Sequence, residues 1–382
     1  MKILFVQDSL GTGGAERSNA ELWYFLKEKG ISIKIIVLDH RHEGVQQEIL
    51  NKGFDVVFLK PGNFLGQSKN IAEIIKDYRP DLVQSVLFRA TMRVRAAKLF
   101  AKFYHLESLV SCPYDEVRFQ DAQINSTALK LYKFFDQISE SKGTDRFVAI
   151  TEEVKNHYIQ KLKIPAKKIE VIYRGRKKNA FLKDKEQVRN KLRDALGIKQ
   201  NDLVFVHVGR QEFAKGHINL LEAIAKVDHE LAQYNVRFIF CGRKGNATKE
   251  IEDFLENKKI QTELKFLGHR NDIYEILVAS DVFVFPSLYE GLGGALIEAQ
   301  AAGLPVICSD IKVFREVVNI NENALFFEKN NTSELGDCLT KMAKSQKLRF
   351  SMGVKSVDNY NRKFQIEKIH SQMLGLYQQI TD

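Results

Sequence analysis

Short apolar runs that alternate with helix-like stretches constrain the fold of this chain more than any other feature. Each run predicts a buried strand, and the stretches between the runs carry apolar residues at helical spacing. Strands that alternate with helices predict a parallel sheet covered on both faces. In the first part of the chain the predicted strands are 2–6, 31–38, 55–59, 82–86, 108–111 and 146–150, and the helices between them include 71–78, 90–104 and 127–139.

The alternation is interrupted once, by the segment 173–187, which is basic, polar and without periodicity. A chain of 382 residues is too long for one ordinary core, so we place the domain linker there. We predict domains at 1–172 and 173–363, and a final helix within 364–382 that packs back on the first domain. Beyond the linker the predicted strands are 204–208, 237–241, 264–267, 282–285 and 305–308, and the helices are 217–227, 249–257, 273–279, 295–302 and 334–343.

Both halves therefore predict the same α/β architecture, a doubly wound, Rossmann-like sheet. Two such domains facing each other would place the carboxyl ends of both sets of strands around one cleft. Sheets of this kind bind ligands at that edge, so we expect the loops there to carry the chemistry.

A glycine-rich segment, residues 290–298 (Glu-Gly-Leu-Gly-Gly-Ala-Leu-Ile-Glu), joins a predicted strand to a predicted helix. Its glycines leave the backbone bare for a ligand, and the N–H groups of residues 295–297 would hold an anion at the helix start. Glu290 and Glu298 flank this site and would accept hydrogen bonds from hydroxyl groups. Phosphate beside polyol suggests a sugar nucleotide, although a glycine-rich turn with two solvated glutamates would have the same sequence.

Two cations follow the first strand of the second domain. Arg210 comes directly after Gly209, and Lys215 lies five residues further on. A diphosphate leaving group gains negative charge as its bond breaks, and an Arg with a Lys can neutralise that charge without a metal. The alternative is a pair of solvated surface cations.

No metal site is expected. The sequence has no Asp-x-Asp triplet, and His40 and His42 stand alone in a polar loop. His207 lies inside an apolar strand and is predicted to be a core histidine. The four cysteines show no Cys-x-x-Cys spacing, which favours buried free thiols in a reducing cytoplasm.

The formal net charge of +10 favours anionic partners, namely nucleic acid, anionic lipid or phosphorylated substrates. Nucleic acid is not expected, because no helix-turn-helix, zinc finger or RNA-binding aromatic pattern is present. The apolar run after Met1 is too short for a signal peptide, and no segment approaches the ~20 apolar residues of a membrane span. We expect a cytoplasmic protein.

Several motifs, taken in order, resemble those of the retaining GT-B glycosyltransferases of family 4. The segment 11–17, Gly-Thr-Gly-Gly-Ala-Glu-Arg, resembles the acceptor-domain loop of that family. The resemblance covers nearly the whole chain and implies the GT-B fold, two Rossmann-like domains facing across a cleft. The positions that resemble the donor domain are Arg210, Lys215-Gly216, Leu267-Gly268, Glu290, Glu298 and the run 302–307, Ala-Gly-Leu-Pro-Val-Ile.

The resemblance implies a role for each matching position. Arg210 and Lys215 would hold the β-phosphate of the donor, Glu290 would bind hydroxyls of the transferred sugar, and Glu298 would bind the ribose. Glu290, Arg210 and Lys215 are the implied catalytic residues. The other implied donor-site positions are Gly13, Gly14, Gly209, Gly268, His269, Arg270, Gly291, Leu292, Gly293 and Gly294.

Transfer in this family retains the anomeric configuration without a metal. The leaving phosphate is thought to take the proton of the acceptor on the same face of the sugar, so no side-chain nucleophile is needed. The resemblance therefore implies no cofactor and a nucleotide-diphosphate sugar as donor, with UDP favoured over GDP.

The chain departs from the family pattern on the acceptor side. Many members carry a histidine after the strand predicted at 108–111, where this chain has Tyr114 and Asp115, so either these contribute or the site differs. Many members have Asn-Gly after the interdomain strand, whereas Arg174 and Arg176 flank the glycine here, and we favour linker charges over substrate contacts. The acceptor-side candidates are Gly11, Thr12, Tyr114, Asp115 and Arg174.

A basic amphipathic stretch, the predicted helix 90–104 with Arg89 before it, suggests contact with an anionic membrane surface or packing on its own sheet. The loop 61–66 adds Phe64 and Leu65, which would enter a membrane or fold inward. Peripheral association with the inner face of the membrane is our hypothesis. The cations are Arg89, Arg93, Arg95, Lys98 and Lys102, and the apolar stripe is Met92, Ala96, Leu99 and Phe103.

The predicted function is transfer of a hexose-type sugar from a nucleotide-diphosphate sugar to a glycan or lipid-linked acceptor, as in surface polysaccharide assembly. One alternative is a GT-B-fold nucleotide-sugar epimerase or hydrolase, and another is a non-catalytic nucleotide-sugar-binding subunit. A dehydrogenase is a weaker alternative, because Asp39 ends a strand as a ribose-binding acid would, but Glu16 stands where the third glycine should be.

Overall fold

A computed structural model describes residues 1–41, 43–121 and 124–382. His42, which together with His40 was not expected to bind a metal, lies outside these residues. Within the described ranges, no helix combines the length and the hydropathy that crossing a bilayer requires. The four cysteines are free and buried, which confirms that prediction.

The chain forms two compact units. Unit 1 consists of residues 1–115, 124–175 and 366–382, and unit 2 of 176–365 with the described residues of 116–123. The C-terminal residues thus belong to the same unit as the N-terminal ones. The short segment after residue 115 belongs to unit 2, although the sequence boundary at 172 assigns it to the first domain.

Unit 1 is built on one parallel sheet. In chain order its first elements are β1 (Lys2–Ser9), α1 (Gly14–Glu28), β2 (Ser32–Asp39), α2 (Gln46–Asn51), β3 (Asp55–Phe58), α3 (Phe64–Tyr78), β4 (Leu82–Val86), α4 (Phe88–Ala97), β5 (His105–Leu109), α5 (Ser126–Gly143), β6 (Arg146–Ala149), α6 (Glu152–Leu162) and β7 (Ile169–Val171). The strand order is β3-β2-β1-β4-β5-β6-β7. The central strands are buried because helices cover both faces.

Side-chain caps fix where two of these helices begin. The Thr151 hydroxyl accepts a hydrogen bond from the N–H of Val154 at 3.1 Å and caps α6. The Asn63 side chain accepts from the N–H of Gly66 at 2.7 Å and caps α3. Phe64 and Leu65 therefore lie in the first turn of a helix, and the loop predicted at 61–66 is wrong for these two residues.

The strand predicted at 108–111 begins earlier, at His105, and the helix predicted to reach residue 104 ends at Ala97. The prediction missed His105 and Glu107 because they are polar, yet both are buried. The His105 ring bonds the Gly143 carbonyl at 2.7 Å and the Ser85 hydroxyl at 2.8 Å. Burial lowers the pKa of His105 to about 3, so it stays neutral in the core.

The basic stretch at α4 is not a solvated cationic face. Arg95 is buried and donates to Asp136 at 2.7 Å and to Glu107 at 2.6 Å. Lys98 pairs with Asp145 at 2.5 Å. Arg95 thus links α4 to α5 and β5, because a buried guanidinium is stable only where charged and hydrogen-bonding partners satisfy it. The prediction that Arg95 is one of the surface cations of this stretch is therefore wrong, whereas Arg89, Lys102 and Leu99 are exposed, as that prediction requires.

Unit 2 contains a second parallel sheet. The elements of unit 2 are α7 (Lys185–Ala195), β8 (Leu203–Val208), α8 (His217–Lys226), α9 (Asp228–Gln233), β9 (Val236–Cys241), α10 (Thr248–Asn257), β10 (Glu263–Gly268), α11 (Ile273–Ala279), β11 (Val282–Phe285), α12 (Gly294–Ala301), β12 (Val306–Ser309), α13 (Lys312–Val317), β13 (Ala324–Phe327), α14 (Thr332–Lys344) and α15 (Gln346–Lys363). The strand order is β10-β9-β8-β11-β12-β13. The sequence analysis did not predict β13, a short strand at the sheet edge, or α15, which follows α14 after one residue.

The last helix, α16 (Ile366–Thr381), returns to unit 1. Ile369, Met373 and Tyr377 are buried in the same core as Trp23 of α1. The Tyr377 hydroxyl donates to the Gln84 side chain of β4 at 2.5 Å. The amphipathic stripe of the C-terminal sequence is thus the face that packs.

Candidate functional site

The sheet of unit 2 reverses its strand order between β8 and β11. Gly209 and Arg210 follow the carboxyl end of β8, and residues 286–293 follow that of β11. Doubly wound sheets bind ligands at such a switch point, because the two loops there diverge and leave a crevice. The sequence-predicted donor residues of unit 2 begin at these two loops.

Lys215 and Glu290 lie 75 positions apart in the chain and form an ion pair, with 2.5 Å between Nζ and Oε1. The Ser287 hydroxyl donates to the same carboxylate oxygen at 3.1 Å. Gly216 has a φ of +64° and lies against the Pro286 carbonyl, where a side chain would collide. The glycine therefore lets the lysine loop close onto the glutamate loop.

The glycines of the 290–298 segment are required by the local backbone. Gly293 has a φ of +80°, and a Cβ there would lie 2.9 Å from the Phe314 ring. Gly294 is the first residue of α12. The N–H of Leu296 donates to the Gly293 carbonyl at 3.0 Å, so the prediction that it points out freely toward a ligand is wrong.

Arg176 lies against this segment, and its Nε donates to Glu298 at 2.9 Å. Its guanidinium covers Gly294 so closely that a side chain at that position would overlap it. Both partners are largely buried, with exposed side-chain fractions of 12 % and 18 %. The sequence favoured a linker charge here, and the structure instead places a third cation at the glycine-rich segment.

Gly209 and Arg210, in the loop after β8, have different environments. A Cβ at Gly209 would lie 3.3 Å from the Lys215 side chain, so the glycine makes room for the lysine stem. The Arg210 side chain is exposed and pairs with Glu212 at 2.8 Å. An exposed ion pair of this kind is weak and exchanges readily for a stronger anion.

The segment predicted to lie beside the base ends β10. Gly268 has a φ of +64°, and His269 after it is exposed. Arg270 is held by Asp272, with 2.5 Å between Nη2 and Oδ2. In the loop after Glu290, Gly291 is half-buried and Leu292 is buried, so Leu292 anchors the loop in the core.

Two histidines lie beneath Lys215. His207 and His217 are buried with ring centroids 4.5 Å apart, and His207 Nδ1 bonds the Val284 carbonyl at 3.0 Å. Burial lowers the pKa of His207 to about 4 and of His217 to about 2. Both are neutral at neutral pH, so the charge at this point belongs to Lys215. The prediction that His207 is a core histidine is confirmed, but the prediction that its ring is satisfied holds only for Nδ1, because the buried Nε2 has no hydrogen-bond partner.

The glycine loop of unit 1 follows β1. Thr12 is exposed, and a Cβ at Gly14 would meet no atom within 4 Å, so the space beside it is open. A Cβ at Gly13 would collide with the Glu16 carboxylate, and the Gly11 carbonyl accepts from the N–H of Val45 at 3.3 Å. Gly11 and Gly13 are thus held by contacts within unit 1, whereas the space beside Gly14 is open.

Arg174 braces the helix that follows this loop. Its Nη1 donates to the Ala15 carbonyl at 3.0 Å and its Nη2 donates to the Asn19 side chain at 3.1 Å. Asn19 in turn donates to Gln7 of β1 at 2.9 Å. This geometry gives Arg174 a positioning role within unit 1.

Tyr114 points into the core of unit 1. Its hydroxyl donates to Asp136 at 2.6 Å, and its N–H donates to His157 Nε2 at 3.2 Å. Burial beside that carboxylate raises the pKa of Tyr114 well above its ordinary value. Asp115 is only half-buried. Of the two residues weighed in place of the family histidine, Asp115 is the accessible one.

Two alternatives from the sequence meet specific observations. Asp39, weighed as a ribose-binding acid, is paired with Arg89. In the part of the chain that the structure describes, no three His, Cys, Asp or Glu side chains are grouped as ligands for a metal ion.

Comparison with known proteins gives two family matches. The model described as Glycosyltransferase Family 4 matches residues 12–177, and the model described as Glycosyl transferases group 1 matches residues 188–356. This chain belongs to the GT-B glycosyltransferases of family 4. The two parallel-sheet units of this family-4 chain are the two Rossmann-like domains of the GT-B fold.

Individual relatives agree with this assignment. A UDP-Gal:α-D-GlcNAc-diphosphoundecaprenol α-1,3-galactosyltransferase of Escherichia coli is 30 % identical over 246 residues, which are 63 % of this chain and 62 % of the relative. The putative glycosyltransferase EpsF of Bacillus subtilis is 38 % identical over 125 residues, which are 32 % of each chain. The matches thus span less than two thirds of these relatives.

A solved structure extends the comparison to nearly the whole fold. The Anabaena protein HepE, crystallised with UDP and glucose, has a TM-score of 0.83 and 19 % sequence identity. The alignment covers 98 % of this chain and 99 % of HepE. At this identity the likeness concerns the fold.

Proposed function

We propose that this family-4 chain is a glycosyltransferase that moves a hexose-type sugar from a nucleotide-diphosphate sugar to a glycan or lipid-linked acceptor. The observation that carries the proposal is the Lys215–Glu290 pair at the switch point of unit 2. A cation beside a carboxylate offers one group for a phosphate and one for sugar hydroxyls within a single small site.

UDP is the nucleotide we propose for the donor. The name of the E. coli relative includes UDP-Gal, and HepE was crystallised with UDP and glucose. In this chain Arg210 and Lys215 would hold the diphosphate, Glu290 the hydroxyls of the sugar, and Glu298 the ribose.

Arg176 adds a third cation to the proposed donor site. In the structure it occupies the carboxylate of Glu298 and the face of Gly294. A bound ribose would compete for Glu298, and the guanidinium would then be released toward the phosphates. This exchange replaces one charged contact by another, so its net cost is small.

The transfer we propose conserves configuration and uses no metal. The bond between the anomeric carbon and the diphosphate oxygen breaks, and the acceptor oxygen bonds to the same carbon on the same face. The acceptor proton passes to the departing phosphate. Lys215 and Arg210 stabilise the charge that develops there, which is the step where fixed cations lower the barrier most.

A lipid-linked glycan is the acceptor we favour, in surface polysaccharide assembly. The printed name of the E. coli relative contains GlcNAc-diphosphoundecaprenol, which is a sugar on a lipid diphosphate. The glycine loop and Asp115 of unit 1 are the proposed acceptor-side groups.

Thermal-shift measurements with UDP, GDP and their sugars, in the presence of EDTA, test the donor site. A ligand at a hundredfold excess over its Kd adds about 2.7 kcal/mol to the free energy of unfolding. We expect UDP to stabilise the wild type and Lys355→Ala, a control that removes an exposed lysine on helix α15 of unit 2. Arg210→Ala and Lys215→Ala should lose the effect. Stabilisation that persists in both variants would overturn the phosphate-site assignment.

A further inference from the structure

Helix α5 turns its apolar side outward. The exposed fractions of Leu131, Phe134, Phe135 and Ile138 are 52 %, 56 %, 43 % and 54 %. At 100° per residue these four positions fall within an arc of about 100° on the helix surface. A helix of a globular protein ordinarily buries such a stripe, so its exposure marks an interaction surface. We call these four residues the α5 apolar face.

The orientation of α5 is fixed by the opposite side of the helix. Asp136 is buried and accepts hydrogen bonds from Arg95 at 2.7 Å and from Tyr114 at 2.6 Å. Leu129 and Glu140 are buried on the same side. Turning the apolar face inward would break this buried ion pair and leave a charge without its partner in the core, which is strongly destabilising. The outward face is therefore a stable property of unit 1.

The charged residues of α5 that are exposed are all cations. Its two acids, Asp136 and Glu140, are buried, Lys133 beside them is half-buried, and Lys130 and Lys142 are exposed. Lys142 lies on the arc of the apolar face, and Lys130 lies beside it. The surface that α5 offers to solvent is thus apolar and positively charged. Helices with this composition lie in the interface of anionic membranes, where apolar residues enter the headgroup region and lysines meet phosphates.

We propose that the α5 apolar face docks on an anionic lipid bilayer, with Phe134 and Ile138 entering the headgroup layer and Lys130 and Lys142 contacting lipid phosphates. This face differs from the basic stretch at α4 that the sequence suggested as a membrane contact. Arg95 of that stretch is buried in ion pairs with Glu107 and Asp136. A lipid-linked acceptor would lie in the same bilayer, so docking would bring the enzyme to its acceptor. Only this connection to the acceptor rests on the proposed function.

Co-sedimentation of the full chain with vesicles, at low salt and without donor or acceptor, tests the proposal. We expect binding to phosphatidylcholine vesicles that contain phosphatidylglycerol, and little binding to phosphatidylcholine alone. The double variant Phe134→Ser/Ile138→Ser should lower the partition coefficient at least about tenfold, because two large apolar side chains no longer leave water on binding. Lys130→Gln/Lys142→Gln should weaken binding and reduce its salt dependence.

Matched controls remove equally exposed apolar groups elsewhere. Phe350→Ser acts on a phenylalanine of unit 2 that is 75 % exposed, and Phe64→Ser/Leu65→Ser acts on the first turn of α3. Both should bind vesicles like the wild type. Unchanged binding in the α5 variants, or loss confined to the α3 variant, would overturn the proposal.

Two further measurements separate the remaining outcomes. Sedimentation velocity without lipid should give the same mass for the wild type and Phe134→Ser/Ile138→Ser, and a wild-type dimer that the variant abolishes would assign the face to a second copy instead. The α5 variant should keep UDP-dependent stabilisation. If neither the wild type nor any variant binds UDP while the wild type still binds vesicles, the donor site is refuted but the assignment of the α5 apolar face to the membrane is supported.

Discussion

Lys215→Met separates the ligand role of the lysine from its structural role. Methionine keeps the stem beside Gly209 but removes the cation, which lies 2.5 Å from the Glu290 carboxylate. A charge-assisted hydrogen bond contributes about 1.5–3 kcal/mol, and the partial exposure of the pair (21 % and 13 %) argues for the lower end. We therefore expect the free energy of unfolding without ligand to fall by about 1–2 kcal/mol.

The effect on donor binding should be larger. The lost contact to the β-phosphate corresponds to a roughly ten- to hundredfold increase in the Kd for UDP, measured by isothermal titration calorimetry. Lys355→Met, which removes an exposed lysine on helix α15, should leave the Kd unchanged. If Lys215→Met loses stability yet binds UDP like the wild type, the ion pair is structural only. The phosphate site would then have to lie elsewhere, and our assignment of the switch point would be refuted.

Three further variants test local parts of the account. Gly293→Ala, which places a methyl group at φ +80° against a phenylalanine ring, should cost about 2–4 kcal/mol in urea unfolding, whereas Gly14→Ala, where the Cβ meets no atom, should be nearly neutral. His217→Leu should flatten the pH dependence of stability between pH 6.5 and 4, because below 6.5 the unfolded chain binds a proton that the buried ring, with its pKa lowered to about 2, does not; a slope that stays as steep as in the wild type would contradict this. Tyr114→Phe should lower stability by about 1–3 kcal/mol by leaving Asp136 short of a donor, while kcat/KM for transfer stays within a factor of about three; a much larger loss of activity would return Tyr114 to the acceptor site.

The sequence allowed the α/β alternation to be predicted because buried parallel strands are apolar along their length. The predicted start of β5 lies three residues too far along the chain, because His105 and Glu107 are polar although buried partners satisfy them. Polar residues of this kind resemble loop residues in the sequence. Their partners, Gly143 for His105 and Arg95 for Glu107, lie on other elements and become known only from the structure. Pattern reasoning cannot recognise a strand whose polarity is compensated by tertiary contacts.

The two loops that we propose bind the donor could be placed at strand ends from the sequence because each needs glycine at a fixed place, as Gly216 and Gly293 show by their positive φ values. Arg176 was missed for the opposite reason. Nothing in its neighbourhood distinguishes it from a linker charge, and only the fold brings it to Glu298. The α5 apolar face was missed because helical periodicity reveals a stripe but not which way the stripe points. The buried pair of Arg95 and Asp136 decides that, and it links two helices.

Release of UDP from a UDP-sugar, measured with and without a lipid extract that supplies lipid-linked glycans, tests the central claim most directly. We predict release that depends on the extract, survives EDTA, is lost in Glu290→Gln, and yields a product whose anomeric configuration by NMR matches that of the donor. Release that never depends on an acceptor would identify a hydrolase or epimerase. Binding of UDP-sugars with no turnover under any condition would identify a non-catalytic subunit, and either result would contradict the transferase account.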